Sequence, residues 1–288
     1  MEKWLLLQKI KAKAMVYNLD QIRNFHEHKF AYLQVEEKNH VLTITLNRPD
    51  KKNAMNPVMI AEIVFCIAYA HFTNYVWAVV LAANGDTFCA GADLKAFAGD
   101  GQEPSVSTIP KPNAEILLGE LFIQMHKPCI AKVHANVFAG GFLLICGCTY
   151  VIASDKVNFS LPEVKRGIWP MQVMQSLMQI MSPKMALQLC MLGESFNAKQ
   201  AMEWGIVTKI SSVEDLDKEV ELLVQSICKQ SPTAIRMGLE AFDQMRSISN
   251  NETHAYLKKM LGKVLQTQDA KEGLTAFKEK REPAWTGN

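Results

Sequence analysis

Phe88-Cys89-Ala90-Gly91-Ala92-Asp93-Leu94-Lys95, answered further along the chain by Phe138-Ala139-Gly140-Gly141-Phe142-Leu143, is the pair of segments that decides the fold. Each half sets small residues where a main-chain N–H can be left free to meet a ligand. Two such N–H groups converging on one carbonyl oxygen form an oxyanion hole, which serves catalysis rather than packing. The pair predicts chemistry at an activated carbonyl.

Outward from these segments the chain alternates strands and helices. Residues 77–82, 129–133 and 150–153 are apolar almost without interruption, as strands covered on both faces are. Residues 32–37 and 41–46 flank Lys38-Asn39-His40 and predict a hairpin, with Leu42, Ile44 and Leu46 on one face and Thr43 and Thr45 on the other. Asn56-Pro57 opens a helix over about residues 57–73. Helices between such strands imply right-handed crossovers and a largely parallel sheet. Glycines and prolines across 99–112 predict an irregular loop beside the first segment, a candidate lid. Beyond about residue 170 strand signals stop. Helices are expected over 182–192, 198–204, 215–229, 232–245 and 252–280, with Gly193 and Gly205 as stops and Ser212 to Asp215 as a capping box. Such late helices cover a finished sheet or build a subunit interface.

Composition sets limits. A chain of 288 residues, 49% apolar and with a formal charge of +2, can bury a large core and has no basic or acidic block suited to nucleic acid or a membrane surface. A small molecule is the expected partner. The seven cysteines lie in apolar surroundings without paired metal spacing, which predicts reduced thiols and a reducing compartment. Cytoplasmic localisation is expected, or an organelle matrix if the N-terminus is a presequence. Residues 1–29 read as an extension of three possible kinds: a weakly amphipathic helix, an arginine-poor presequence, or a start assigned too early, with Met15 as the alternative. Trp4-Leu5-Leu6-Leu7 is too short for a secretory signal. Neither a dinucleotide nor a P-loop glycine motif occurs. Ser160 and Cys89 have no evident histidine partner, and His134 reads as a core histidine.

Several segments together resemble the enoyl-CoA hydratase/isomerase (crotonase) family: Asn47-Arg48-Pro49-Asp50-Lys51-Lys52-Asn53-Ala54, Phe88 to Lys95, Ala139-Gly140-Gly141, Ser160-Leu161-Pro162-Glu163 and Ala276 to Arg281. They follow the family's order and spacing across roughly residues 31–285. The resemblance implies an α/β fold, a crotonase-like spiral of repeated ββα units with a C-terminal helical region. Its divisions would be the extension 1–29, a core over 30–210, and helices over 211–288 for oligomerisation and active-site cover. It implies an acyl-CoA substrate, a homotrimer or dimer of trimers, and no cofactor beyond the substrate's own CoA. The thioester oxygen would be held by the N–H groups of Ala92 and Gly140, and Gly140-Gly141 would open a helix whose amides favour the developing charge. Tight helix-to-strand packing is the alternative role for those glycines. Lys51 and Lys52 would meet the adenine and phosphates, Ala90, Asp93, Leu94 and Lys95 would follow the pantetheine, and Phe277 with Lys280 would reach in from the last helix. Lysine suits phosphate as a flexible point charge, although a solvated surface explains any single lysine equally well. Asp93 reads better as a hydrogen-bonding group of the turn than as a catalytic carboxylate.

Departures from the family narrow the reaction. Its hydratases carry two glutamates around a water, and the first of those positions here is Leu143. Leucine neither holds nor deprotonates water. The second carboxylate, Glu163, is present, and partial desolvation there raises its pKa towards a value useful for proton transfer; a salt bridge to Lys165 or Arg166 is the plain alternative. Where hydratases have a glycine-rich turn, this chain has Gly167-Ile168-Trp169-Pro170-Met171, so Trp169 and Met171 either line an apolar acyl pocket or pack under the next helix. Leu143 with Glu163 matches the arrangement of the family's 3-enoyl-CoA isomerases, in which one base moves a proton from C2 to C4. Hydration aided by Glu115 or Glu120, a decarboxylating crotonase, and a non-catalytic acyl-CoA- or RNA-binding member are the alternatives.

Overall fold

In the computed structural model, which describes residues 15–99 and 105–288, ten strands form two sheets. The larger holds β1 (Leu33–Lys38), β2 (Val41–Leu46), β3 (Ala78–Ala83), β5 (Cys129–Val133), β7 (Tyr150–Ser154) and β10 (Lys209–Ser211) in the order β1-β2-β3-β5-β7-β10. The smaller holds β4 (Thr87–Cys89), β6 (Asn136–Phe138), β8 (Asn158–Ser160) and β9 (Ser195–Asn197) in the order β4-β6-β8-β9. Three successive pairs, β3 with β4, β5 with β6 and β7 with β8, each give one strand to each sheet before a helix returns the chain. That is the expected ββα spiral.

The hairpin pairs antiparallel in the register Leu33↔Leu46 to Lys38↔Val41, and every later neighbour in the larger sheet is parallel. Its central strands are continuously apolar because both faces are covered. Val79 and Leu81 point into the main core, while Ala78 and Val80 of the same strand join Ile130 and Ile152 against Leu216 and Val220 of the helix Leu216–Cys228. Each of the valine, leucine and isoleucine side chains contributes about 1.5–3 kcal/mol on full burial. The helix Pro57–Phe72 starts where expected, Asn56 accepting the Met59 N–H at 2.8 Å. Its one acid, Glu62, is fully buried and accepts the Ala31 and Tyr32 N–H groups at 2.6 and 3.0 Å, while desolvation pushes its carboxyl up.

Three expectations need correction. Strands do occur after residue 170: β9 pairs antiparallel with β8, and β10 pairs parallel with β7. Three residues are too few to show a period of two. The helix expected over 252–280 is two helices, Asn250–Val264 and Gln268–Glu279, because Thr267 turns its hydroxyl to accept the Ala270 N–H at 3.1 Å and starts a new helix. Finally, no break in packing falls at residue 30. Val16, Tyr17, Ile22 and Phe25 are buried in the main core, and Phe25 stacks on Tyr69 with ring centroids 3.8 Å apart. The rest of the proposed extension, residues 1–14, lies outside the described residues.

All seven cysteines are free thiols. Among the described residues no helix is long and apolar enough to cross a membrane, and no cluster of three His, Cys, Asp or Glu could hold a metal ion.

Candidate active site

The three parallel strands of the smaller sheet end side by side, with Cys89↔Val137 and Phe138↔Ser160 in register. Just past those ends come Ala92, Gly140 and Glu163. In parallel sheets the C-terminal strand ends are where ligands gather, since the loops there are free to carry side chains and open amides.

Residues 90–93 are fastened to residues 52–55. The Ala90 N–H donates to the Lys52 carbonyl at 3.0 Å, Met55 N–H to Gly91 C=O at 2.7 Å, and Asp93 N–H to Met55 C=O at 2.9 Å. In this extended pairing alternate amides face opposite ways, so the Ala92 N–H points away from Met55. It has no acceptor among the described residues. The Gly140 N–H, in the first turn of the 3₁₀ segment Ala139–Gly141, likewise has none in the turn. The two groups are close: a Cβ placed on Gly140 would stand 3.4 Å from the Ala92 nitrogen.

Gly91 makes that approach possible. Its φ is +93°, and a Cβ there would lie 2.7 Å from the Ala139 Cβ and 2.8 Å from the Gly140 nitrogen. Ala139 itself sits at φ +50°, a left-handed conformation unusual for alanine. The two glycines that follow divide the roles foreseen for them. Gly140 lies at the open amide, whereas a Cβ on Gly141 would press on Cys89 and Val137 at about 3.0 Å, so Gly141 serves helix-to-strand packing.

A second layer fixes the turn. Buried Arg48 donates through Nη1 to the Ala54 carbonyl at 2.9 Å and to Asp93 Oδ2 at 2.7 Å. That guanidinium holds the Asp93 carboxyl below the usual range. Asp93 also caps the short helix Leu94–Phe97 by accepting the Ala96 N–H. Asn53, fully buried, accepts the Arg48 N–H and donates to the Asn84 and Thr87 carbonyls, each at 2.8 Å. Sequence reasoning passed over Asn53 and Arg48 as structural groups. Their signal was present in the Asn47 to Ala54 segment, where a polar run meets an apolar strand.

Ala92, Gly140 and Leu143 line one cavity of about 950 Å³ together with Leu94, Gln172, Glu115 and residues of the loop expected as a lid, among them Ser107 and Ile109. Glu163 stands beside this group on the 3₁₀ turn Pro162–Arg166 and is not one of the cavity's lining residues. It is half-buried, and one carboxylate oxygen, Oε2, is sealed from solvent without a hydrogen-bond partner among the described residues. Desolvation therefore raises its pKa, with the Arg166 charge opposing only in part. No salt bridge joins it to Lys165 or Arg166 among the described residues.

Curated relatives match this sequence, and solved structures match this fold, over nearly the whole chain. The chain is 29% identical to the mevalonyl-coenzyme A hydratase of Aspergillus fumigatus over 85% of its own length and 91% of that protein. It is 32% identical to the carnitinyl-CoA dehydratase of Escherichia coli (strain K12), covering 88% of this chain and 98% of that one. The crystal structure of an enoyl-CoA hydratase from Mycobacterium tuberculosis superposes with a TM-score of 0.79 at 28% identity, over 90% of this chain and all of the other. The sequence profile described as enoyl-CoA hydratase/isomerase matches residues 36–288. The chain belongs to the enoyl-CoA hydratase/isomerase family.

Crotonase-family membership gives a frame for the remaining residues. Lys51, Lys52 and Lys95 are exposed near the fastened turn, free to reach a solvent-side ligand. Leu94 is half-exposed at the cavity and Ala90 is held in the turn. Phe277 is 83% exposed on the helix Gln268–Glu279, and Lys280 caps that helix in a left-handed conformation; neither lines the cavity of its own chain. Of the two roles expected for Trp169, its contacts match packing against the following helix. Its indole N–H points at the Met174 sulfur, 3.4 Å away, and its ring packs on the core, while Met171 faces solvent. Gln172 takes the lining position instead. His134 is half-buried in a loop and bonds the Gly85 carbonyl at 2.8 Å, so it is not a core residue as expected.

Proposed function

We propose that the chain is a 3-enoyl-CoA isomerase of this family. The observation that carries the reading is Leu143 on the wall of the cavity that holds the two open amides, with Glu163 the carboxylate at the same strand ends. The thioester oxygen accepts from the Ala92 and Gly140 N–H groups, which stabilises the enolate by roughly 3 kcal/mol per donor. The Glu163 carboxylate removes a proton from C2 of a 3-enoyl-CoA. The electron pair moves through the old double bond, and protonated Glu163 returns the proton to C4, giving the 2-enoyl-CoA without net change in atoms. Burial raises the basicity of Glu163, which narrows its gap to the carbon acid. Apolar Leu143 leaves no second carboxylate to orient water there.

Hydration is the second reading, favoured by a different observation. Relatives of this chain are named hydratases and dehydratases, and Glu115 lines the cavity from the stretch before the helix Leu118–Gln124, so a second carboxylate can reach water there. Matched 2-enoyl- and 3-enoyl-CoA substrates separate the two: we expect double-bond migration with slow hydration. Fast hydration with negligible migration would replace the isomerase reading with this one, and turnover of neither would leave a binding role.

A trimer or dimer of trimers is the assembly we infer, supported by exposed Phe277, Leu274 and Leu265 on the last helical stretch. CoA enters with the substrate, and no separate cofactor takes part in the scheme. Seven free thiols suit a reducing compartment, the cytoplasm in our reading.

A further inference from the structure

Ile109, Pro110, Lys111 and Pro112 form one wall of the cavity that holds the Ala92 and Gly140 amides. Little within this stretch fixes its shape. It belongs to no helix or strand, and its two prolines have no N–H to donate. Both flanks are instead clipped to residues 16–29. At one end the Thr108 N–H donates to the Lys29 carbonyl at 3.0 Å, the Lys29 N–H donates back to Thr108 Oγ1 at 2.9 Å, and His28 Nδ1 donates to the Thr108 carbonyl at 2.8 Å. At the other the Asn113 N–H donates to the Val16 carbonyl at 2.9 Å. The Gln21 amide bridges that end, donating to the Lys111 carbonyl at 2.9 Å and accepting from Asn113 Nδ2 at 2.6 Å.

The clips hold because the segment that carries them is anchored in the core. Val16, Tyr17, Ile22 and Phe25 are buried, with Tyr17 edge-on to Phe65 at 5.1 Å and Phe25 stacked on Tyr69. The Tyr17 hydroxyl also donates to the Ala61 carbonyl at 3.4 Å. Ala61 lines the same cavity, together with Pro57, Val58 and Ile60 at the start of the helix Pro57–Phe72. Residues 16–29 therefore tie two walls of the cavity to each other, yet none of them lines it.

We infer that residues 16–29 are a strap that sets the acyl selectivity of the cavity from outside it, with Gln21 and Thr108 as positioning residues. This rests on the acyl-CoA reading above but not on which reaction follows. An acyl chain long enough to touch Ile109 and Pro110 gains apolar contact with a wall already in place. Against a loose wall the same contact must first order the backbone, and that lost entropy weakens binding. An acetyl group, held at its carbonyl by the paired amides, has only a methyl beyond it and gains little from the wall.

The test measures binding of saturated acyl-CoAs by calorimetry, so it does not depend on turnover. Acetyl-CoA and octanoyl-CoA are compared on the wild type, on Gln21→Ala/Thr108→Val and on Arg23→Ala, with thermal melts to verify folding. Arg23 lies on the strap but pairs only with exposed Asp20, so its variant is the control and should match the wild type. The double variant should bind octanoyl-CoA about tenfold more weakly while acetyl-CoA stays within about twofold. Gln21→Ala alone removes a partly exposed side chain, keeps the test standing if the double variant does not fold, and should show the same selective loss at smaller size. Octanoyl-CoA bound as tightly by the variants as by the wild type overturns the inference. Equal weakening of both ligands also overturns it, since the wall would then serve the CoA body they share. Failure of both ligands to bind the wild type overturns the acyl-CoA reading itself.

Discussion

The two sheets of this molecule are built to opposite rules. The larger has strands of up to six residues, the central ones covered on both faces with Leu81 and Ile130 fully buried, and it bears none of the residues proposed for chemistry. The smaller has strands of three residues, and its parallel ends carry Ala92, Gly140 and Glu163. Stability and chemistry are therefore separated in space. A long buried strand tolerates no change of volume, whereas a short strand with a loop three residues on leaves a backbone that can be aimed.

Glu163→Gln tests the smaller sheet most severely. Turnover should fall about 10²–10⁴-fold, the usual share of a general base, with acyl-CoA binding kept. In the wild type the rate should rise with pH through a pKa above the ordinary glutamate value of about 4.3, because the base form acts and burial raises it. The same raised pKa favours the folded state at acid pH, and that contribution is lost as pH rises through the folded value. Removing the charge should therefore raise the melting temperature near neutrality, a scan that a surface glutamate would leave flat.

Gly91→Ala comes next. Its Cβ would meet Ala139 and the Gly140 amide, so the two N–H groups move apart and turnover should drop about 10²-fold, as when one oxyanion donor is lost. Comparable turnover by the variant would mean that the amides do not act as a pair. In the larger sheet Leu81→Ala should show the reverse pattern: about 2–5 kcal/mol lost in denaturant titration, with kcat held at temperatures well below the melt. A fall in kcat there would show that the sheets are coupled. The smallest effect is expected at the joint between the turn and its support. Asp93→Asn weakens the bond from Arg48 and should cost about 2 kcal/mol at pH 7. Because the Asp93 pKa is depressed, its contribution is present above the unfolded value and fades as pH falls through the folded one. The variant's stability deficit should shrink in acid; a deficit constant with pH would assign the loss to packing.

How much of this was legible follows the same division. The hairpin, the strands β3, β5 and β7 and the helix at Asn56-Pro57 could be read because burial on one or both faces imposes a pattern longer than a few residues. The smaller sheet could not, since its strands are shorter than any period, yet its ends were found through Gly91 and Gly140, whose lack of side chains is itself a signal. The lining role of Gln172 and the inward packing of Trp169 depend on how segments distant in sequence meet. So does the burial of Tyr17 and Phe25 against the helix Pro57–Phe72, in a stretch set aside as an extension.

Each of three coils of the spiral places one group of the proposed scheme, Ala92, Gly140 or Glu163, within three residues of a strand end. In the proposed scheme a change in one loop alters one chemical function while the neighbouring coils keep theirs. Leu143 illustrates the point, for it packs as a core residue while forming part of the cavity wall. Such a scaffold can acquire a new reaction by single steps, each folding as well as the last. It is a modular tool in which the handle and the bits are separate parts.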